Sequence, residues 1–169
     1  TRELLLRFLA LGVFTPLMRD HTAIGTREQE CYQFENVEDF RHVIGVRYRL
    51  IPYIYSEYMK AALNDDMYFR PLGFVYPEDK IAVHVEDQLL LGNEIMIAPV
   101  YEQNARGRYV YLPEEMKFIP VAEAAECVAA LDTKNMQLLG YEGAEYTLYE
   151  DDGVHKDYDR EENYRVLKK

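Results

Sequence analysis

Apolar residues recur at helical spacing at the start of the chain, where Leu4, Leu5, Phe8 and Leu11 share a face; this predicts a helix over residues 1–11. Thr1 is placed to cap it, Glu3 sets a negative charge in its first turn, and Gly12 ends it. Residues 15–35 lose the periodicity and carry Pro16, Gly25 and several charges, so a long loop is expected, of a length that in compact domains usually has a function. A second, longer helix is predicted from Asn36, with Asn36 as cap and Asp39 three residues on. Its apolar face is Phe40, Val43, Ile44, Ile51, Ile54, Tyr55, Tyr58 and Met59. Pro52 lies inside it and should kink it, leaving tertiary packing to hold the segment. Asn64-Asp65-Asp66 breaks the helix, and the aromatic alternation from Met67 to Tyr76 predicts a strand.

Helix, turn and strand in that rhythm indicate an α/β barrel. After Pro77-Glu78-Asp79 the pattern becomes all-β. Short strands rich in Ile, Val and Tyr are predicted within 87–100 and over 108–112, separated by Gly92-Asn93 and by Asn104-Ala105-Arg106-Gly107. A domain boundary is expected near residues 80–86. The alanine-rich stretch 123–130 is open between helix and loop, while 137–139 and 145–149 read as further short strands. Asp151-Asp152-Gly153 is a tight turn, and 157–162 a solvated charged loop.

Composition narrows the class of partner. The net charge of −11, from 30 acidic and 19 basic residues, argues against nucleic-acid and anionic-membrane surfaces, which need clustered Lys and Arg. The apolar runs stop well short of a bilayer span, so a soluble chain is expected. Fifteen tyrosines suit carbohydrate contact, and equally a half-buried core. Cys31 and Cys127 show no metal or redox spacing; two free thiols in a reducing, cytoplasmic compartment are the expectation. His21, His42, His84 and His155 are dispersed and form no metal constellation. The chain opens on Thr1 without an initiator Met or a leader pattern, so a fragment of a longer polypeptide is expected.

Candidate chemistry begins at Phe14-Thr15-Pro16-Leu17-Met18-Arg19-Asp20-His21, where Arg19 and His21 follow a proline at the close of an apolar helix. Taken alone they fit a solvated helix end as well as a site. The stretch from Leu9 to His21, however, resembles the run of glycoside hydrolase family 31, the α-glucosidase family, that enters the active site. Arg47-Tyr48-Arg49-Leu50-Ile51-Pro52-Tyr53-Ile54-Tyr55 resembles that family's proline-containing helix, and Arg70-Pro71-Leu72-Gly73-Phe74 its final barrel strand. Asp87-Gln88-Leu89-Leu90-Leu91-Gly92, continuing to Ala98-Pro99-Val100, is similar to the family's entry into its β-sandwich. Leu148-Tyr149-Glu150-Asp151-Asp152-Gly153 resembles a turn of its distal domain.

The resemblance implies the last units of a (β/α)8 barrel over 1–84, an incomplete antiparallel β-sandwich over 85–136, and the start of a distal β-domain over 137–169. Two departures stand out. Glu30-Cys31-Tyr32 replaces a proline-containing triplet, which bears on loop rigidity. Near residues 117–118 some tens of residues of sandwich are missing, since Lys117 is followed almost at once by Phe118-Ile119-Pro120.

The resemblance further implies that His21 hydrogen-bonds hydroxyls of the bound glucosyl unit, a task suited to imidazole, which can both donate and accept. Arg19 is a weaker substrate-binding candidate. Asp20 and Arg70 fit loop-orienting or structural roles better, and the other histidines and the tyrosine-rich helix fit packing. A retaining glycosidase needs two carboxyl groups roughly 5 Å apart. In this family both are aspartates on segments preceding the Pro16-to-His21 run, so no catalytic residue is expected in this chain. The implied function is part of a retaining exo-acting α-glucosidase acting on α-linked oligosaccharides, completed by the upstream part of the same enzyme and inactive alone. No cofactor is implied, and oligomeric state is open. The alternatives are an α-xylosidase, α-glucosyltransferase or lyase of the same family, or a non-catalytic carbohydrate-binding or structural β-module.

Overall fold

The structure, a computed structural model, describes residues 1–113 and the two strands 145–149 and 164–168. The alanine-rich stretch, the strand expected at 137–139, the turn at 151–153, the charged stretch 157–162 and the break near 117–118 lie outside the described residues.

Helix α1 spans Arg2–Gly12, and the Thr1 hydroxyl accepts from the Leu4 amide at 3.3 Å, so the expected cap is present. Its packing face is not the expected one. Leu9 and Val13, one turn apart, are buried, while Leu4 and Phe8 are 63 % and 70 % exposed. The helix is thus apolar on two sides, the pattern of an element lying between layers. Arg7 fastens α1 to the segment after the sheet by donating to the carbonyls of Val100 (2.9 Å) and Ala105 (2.6 Å). Glu3 joins the same knot by accepting from Arg7 (2.8 Å) and from the Asn104 amide (2.7 Å), and these donors hold its carboxyl below the usual range.

Helix α2 spans Val37–Asn64 and runs through Pro52. Phe40, Ile54 and Met59 from its apolar face are buried, and Phe40 stacks at a tilt on Phe34, 5.8 Å between centroids. Asn36 does not act as a side-chain cap. It adopts a left-handed conformation (φ 55°), and its carbonyl, with that of Glu35, accepts from Arg2 instead. The helix ends where expected, at Asp65 in the left-handed region.

The strand expected over 67–76 is confined to β1, Phe69–Pro71, and is followed by the short helix α3, Leu72–Val75. Proline explains the switch: Pro71 cannot extend the ladder as a donor, and its fixed φ suits a helix start. Gly73 lies so close to the Val83 backbone that an added Cβ would be 3.0 Å from Val83 Cα, a contact that requires that backbone to shift by a few tenths of an ångström.

Strands β2 (Leu89–Leu91) and β3 (Ile95–Ile97) form the predicted hairpin around Gly92, whose φ is +61°. The sheet order is β1-β2-β3, antiparallel throughout, with Phe69 opposite Leu91 and Leu91 opposite Ile95. Leu90, Leu91 and Ile97 join Leu72 and Ala82 in the core. The strand expected over 108–112 does not form. Buried Gln88 takes up the backbone there, donating to the Tyr111 carbonyl and accepting from its amide, both at 2.8 Å. Strands β4 (Glu145–Tyr149) and β5 (Tyr164–Lys168) pair antiparallel, β4 where the sequence predicts it. No described helix is long and apolar enough to cross a membrane.

Candidate functional site

The segment carrying Arg19 and His21 leaves the C-terminus of α1 and is held from beneath. Arg47, on α2, donates to the carbonyls of Val13 (2.9 Å), Thr15 and Pro16 (3.0 Å). The Tyr68 hydroxyl donates to the intervening Phe14 carbonyl at 2.6 Å. Partial burial raises the Tyr68 hydroxyl to a pKa of about 12, against the opposing pull of the Arg47 charge, so it remains a donor at neutral pH.

Beyond this anchor the chain is exposed from Pro16 to His21 apart from half-buried Met18. Arg19 Nη2 lies 3.1 Å from His21 Nδ1. A guanidinium can only donate, so Nδ1 is the acceptor of this bond, and the proton of the neutral ring belongs on Nε2, which is left as a donor. Gln29 Nε2 donates to the His21 carbonyl at 3.3 Å and steadies the segment from its far side. Asp20 is exposed and bonds to neither Arg19 nor His21 among the described residues.

Arg70, on β1, lies elsewhere. It donates to Asn93 in the β2–β3 turn, and its buried Nε has no partner among the described residues. His42 is half-buried with its Nε2 unpartnered; burial lowers its pKa, the charge of Arg49 lowers it further, and Asp39 opposes both. His84 is exposed, and His155 lies outside the described residues. Among the described residues no cluster of His, Cys, Asp or Glu could hold a metal ion.

A large open cleft, about 770 Å³, lies on the β side and includes Asp87, Tyr101 and Arg108 but no residue of 15–35. Three of its polar side chains, Asp87, Tyr101 and Arg108, are engaged with one another. Arg108 bonds the Asp87 carboxylate (2.5 Å) and the carbonyls of Asp87 (3.1 Å) and Pro99 (3.0 Å), and Tyr101 also donates to Asp87. The Arg19–His21 pair is therefore the better candidate for chemistry.

Sequence reasoning missed the two residues that hold this segment. Arg47 lies in the Arg-Tyr-Arg stretch whose resemblance drew attention to Pro52, and a single arginine at that point of a helix is no signal of its target. Tyr68 falls within the aromatic alternation that predicts a strand, and that pattern carries no signal of a target for its hydroxyl.

Known proteins place the chain in a class. Residues 1–57 match the Glycosyl hydrolases family 31 TIM-barrel domain, and residues 65–144 match the Glycosyl hydrolase family 31 C-terminal domain. The chain belongs to glycoside hydrolase family 31. A probable alpha-glucosidase from Oryza sativa subsp. japonica is 40 % identical over 114 residues, which are 67 % of this chain and 13 % of that protein. Among solved structures, a family 31 dextranase from Flavobacterium johnsoniae, complexed with glucose, aligns over 99 % of this chain and 26 % of its own, with 27 % identity and a TM-score of 0.71. A family 31 α-xylosidase from Xanthomonas citri aligns over 66 % of this chain and 12 % of its own, with 32 % identity and a TM-score of 0.58. The chain spans 13 to 14 % of the length of the curated relatives it matches first.

Proposed function

We propose that this chain is the late part of a retaining, exo-acting α-glucosidase and that it supplies a sugar-binding histidine to an active site completed by residues upstream. The observation that carries the reading is the Arg19–His21 pair, presented on an exposed segment with Nδ1 engaged by Arg19 and Nε2–H left as the ring's donor. Such a group can donate to a glucosyl hydroxyl. Donors that tighten on the ring as positive charge develops at the anomeric carbon lower the barrier by about 3–4 kcal/mol when one is well placed. In this reading Arg19 acts first on His21, fixing its tautomer and ring plane, and touches sugar less directly.

The nucleophile and the acid/base are two aspartates outside this chain. One attacks the anomeric carbon; the other protonates the leaving oxygen and then activates water, giving net retention. The barrel portion over 1–84, the incomplete sandwich over 85–136 and the distal β-domain from 137 belong to the same proposal, as does a cytoplasmic location. The apolar outer face of α1, with Leu4 and Phe8 exposed, supports a barrel larger than the described residues.

The test is hydrolysis of p-nitrophenyl α-glucoside, which releases a single glucose, by the full-length enzyme, with the anomer of the first-formed glucose read by proton NMR, beside the 169-residue chain alone. The expected result is α-glucose from the full enzyme and none from the isolated chain. Inverted product, or turnover by the isolated chain, would overturn it. The likeness to the α-xylosidase and the dextranase supports a second reading in which the sugar or the linkage differs. An α-xyloside or dextran turned over faster than maltose would establish it, and inactivity on every glycoside would favour a non-catalytic module.

A further inference from the structure

The carbonyls of Val13, Phe14, Thr15 and Pro16 form an unbroken row, and each accepts a side-chain hydrogen bond. Three of the four bonds come from one guanidinium. This exceeds what ending α1 requires. The helix's last carbonyls are already served by the turn's own amides: Val13 donates to Leu9 (2.9 Å), Phe14 to Leu11 (3.1 Å) and Thr15 to Gly12 (3.1 Å). Arg47 reaches past them to the linker that leads to Arg19 and His21. A planar fork with five donors suits a row of carbonyls, and each bond to it is charge-assisted.

From Pro16 to His21 the chain can stretch roughly 17 Å, so the imidazole's position is set only as well as the segment's two ends are held. Among the described residues the downstream end has a single, longer bond, from Gln29 at 3.3 Å. The upstream end has the Arg47 clamp, reinforced by Tyr68.

We propose that Arg47 is a positioning residue for the sugar site: it touches no substrate, and it acts by fixing the backbone from which Arg19 and His21 project. The proposal rests on the reading of His21 as a sugar ligand. A displacement of about 1 Å at a catalytic constellation can lower the rate about 100-fold, which sets the scale of the effect.

The experiment uses the full-length enzyme with Arg47→Ala, Arg47→Lys and His21→Ala, reading kcat/KM on maltose and amide hydrogen exchange over residues 13–21. Arg47→Ala is expected to raise exchange of the bonded amides of Val13, Phe14 and Thr15 at least tenfold and to lower kcat/KM about 100-fold, with partial recovery on adding millimolar guanidinium. Arg47→Lys keeps the charge and loses the fork, so an intermediate loss is expected without guanidinium rescue. Unchanged exchange in Arg47→Ala, or raised exchange with unchanged kinetics, overturns the positioning role and leaves the His21 reading standing. A fall in activity that guanidinium does not restore, accompanied by loss of the native circular dichroism, overturns it also. Wild-type kinetics in His21→Ala overturns the sugar-ligand reading and this inference together.

Discussion

Replacing Gly92 by alanine tests how the β2–β3 hairpin is seated on α2. Gly92 sits at φ +61°, and a Cβ built there would lie 2.5 Å from Glu57 Cδ and 2.8 Å from its Cγ, closer still to Oε2. The left-handed conformation costs an L-residue roughly 1–2 kcal/mol. Glu57 cannot simply swing aside. Its side chain is 5 % exposed and pairs with Lys60 at 2.7 Å, so displacing it strains a buried carboxylate for a further ~1–2 kcal/mol. Gly92→Ala should therefore destabilise the hairpin by about 2–4 kcal/mol, raising amide exchange in β2 and β3 about 30-fold to 1000-fold. The same substitution in a Glu57→Ala background should cost only the conformational part, so the two changes couple by ~1–2 kcal/mol. Equal costs in both backgrounds would show that Glu57 does not press on this turn.

Tyr68→Phe removes the donor to the Phe14 carbonyl and should cost about 1 kcal/mol in urea denaturation, with faster exchange at the Phe14 and Thr15 amides. The folded pKa of about 12 lies above the ordinary 10.0, so Tyr68 contributes stability that is complete below pH 10.0 and is lost as pH rises through about 12. Tyr68→Phe should flatten stability across that window, and an unchanged alkaline slope would contradict it. His42 shifts the other way. Burial holds its folded pKa below 6.5, so its contribution is complete above pH 6.5 and is lost as pH falls through the folded value. His42→Gln should weaken the acid dependence of the melting temperature below pH 6.5, and an identical profile would show that this imidazole titrates freely.

Local signals carried much of the architecture. The Thr1 cap, the end of α2 at Asp65, the Gly92 hairpin and β4 all follow from neighbouring residues, and all are present. At two of the places where the structure differs, a non-local contact decides. Asn36 gives up its side-chain cap while Arg2, distant in sequence, binds the carbonyls of Glu35 and Asn36. Tyr111 loses its strand because the Gln88 amide reaches its backbone first. The strand after Met67 is cut short by Pro71, a local signal outweighed by the aromatic alternation around it. The site divides in the same way. Arg19 and His21 were legible as residue types in a suggestive order. Arg47 was not, because its acceptors lie 31 to 34 residues away and only the packing of α2 against α1 brings them within reach.

His21 is proposed to bind sugar at the active site of a glycosidase. The most direct test is kcat/KM for maltose in the full-length enzyme carrying His21→Ala, with folding checked by circular dichroism. A loss of about 100-fold or more with the fold intact is predicted, the scale of removing one well-placed donor. Kinetics indistinguishable from the unsubstituted enzyme would contradict the account.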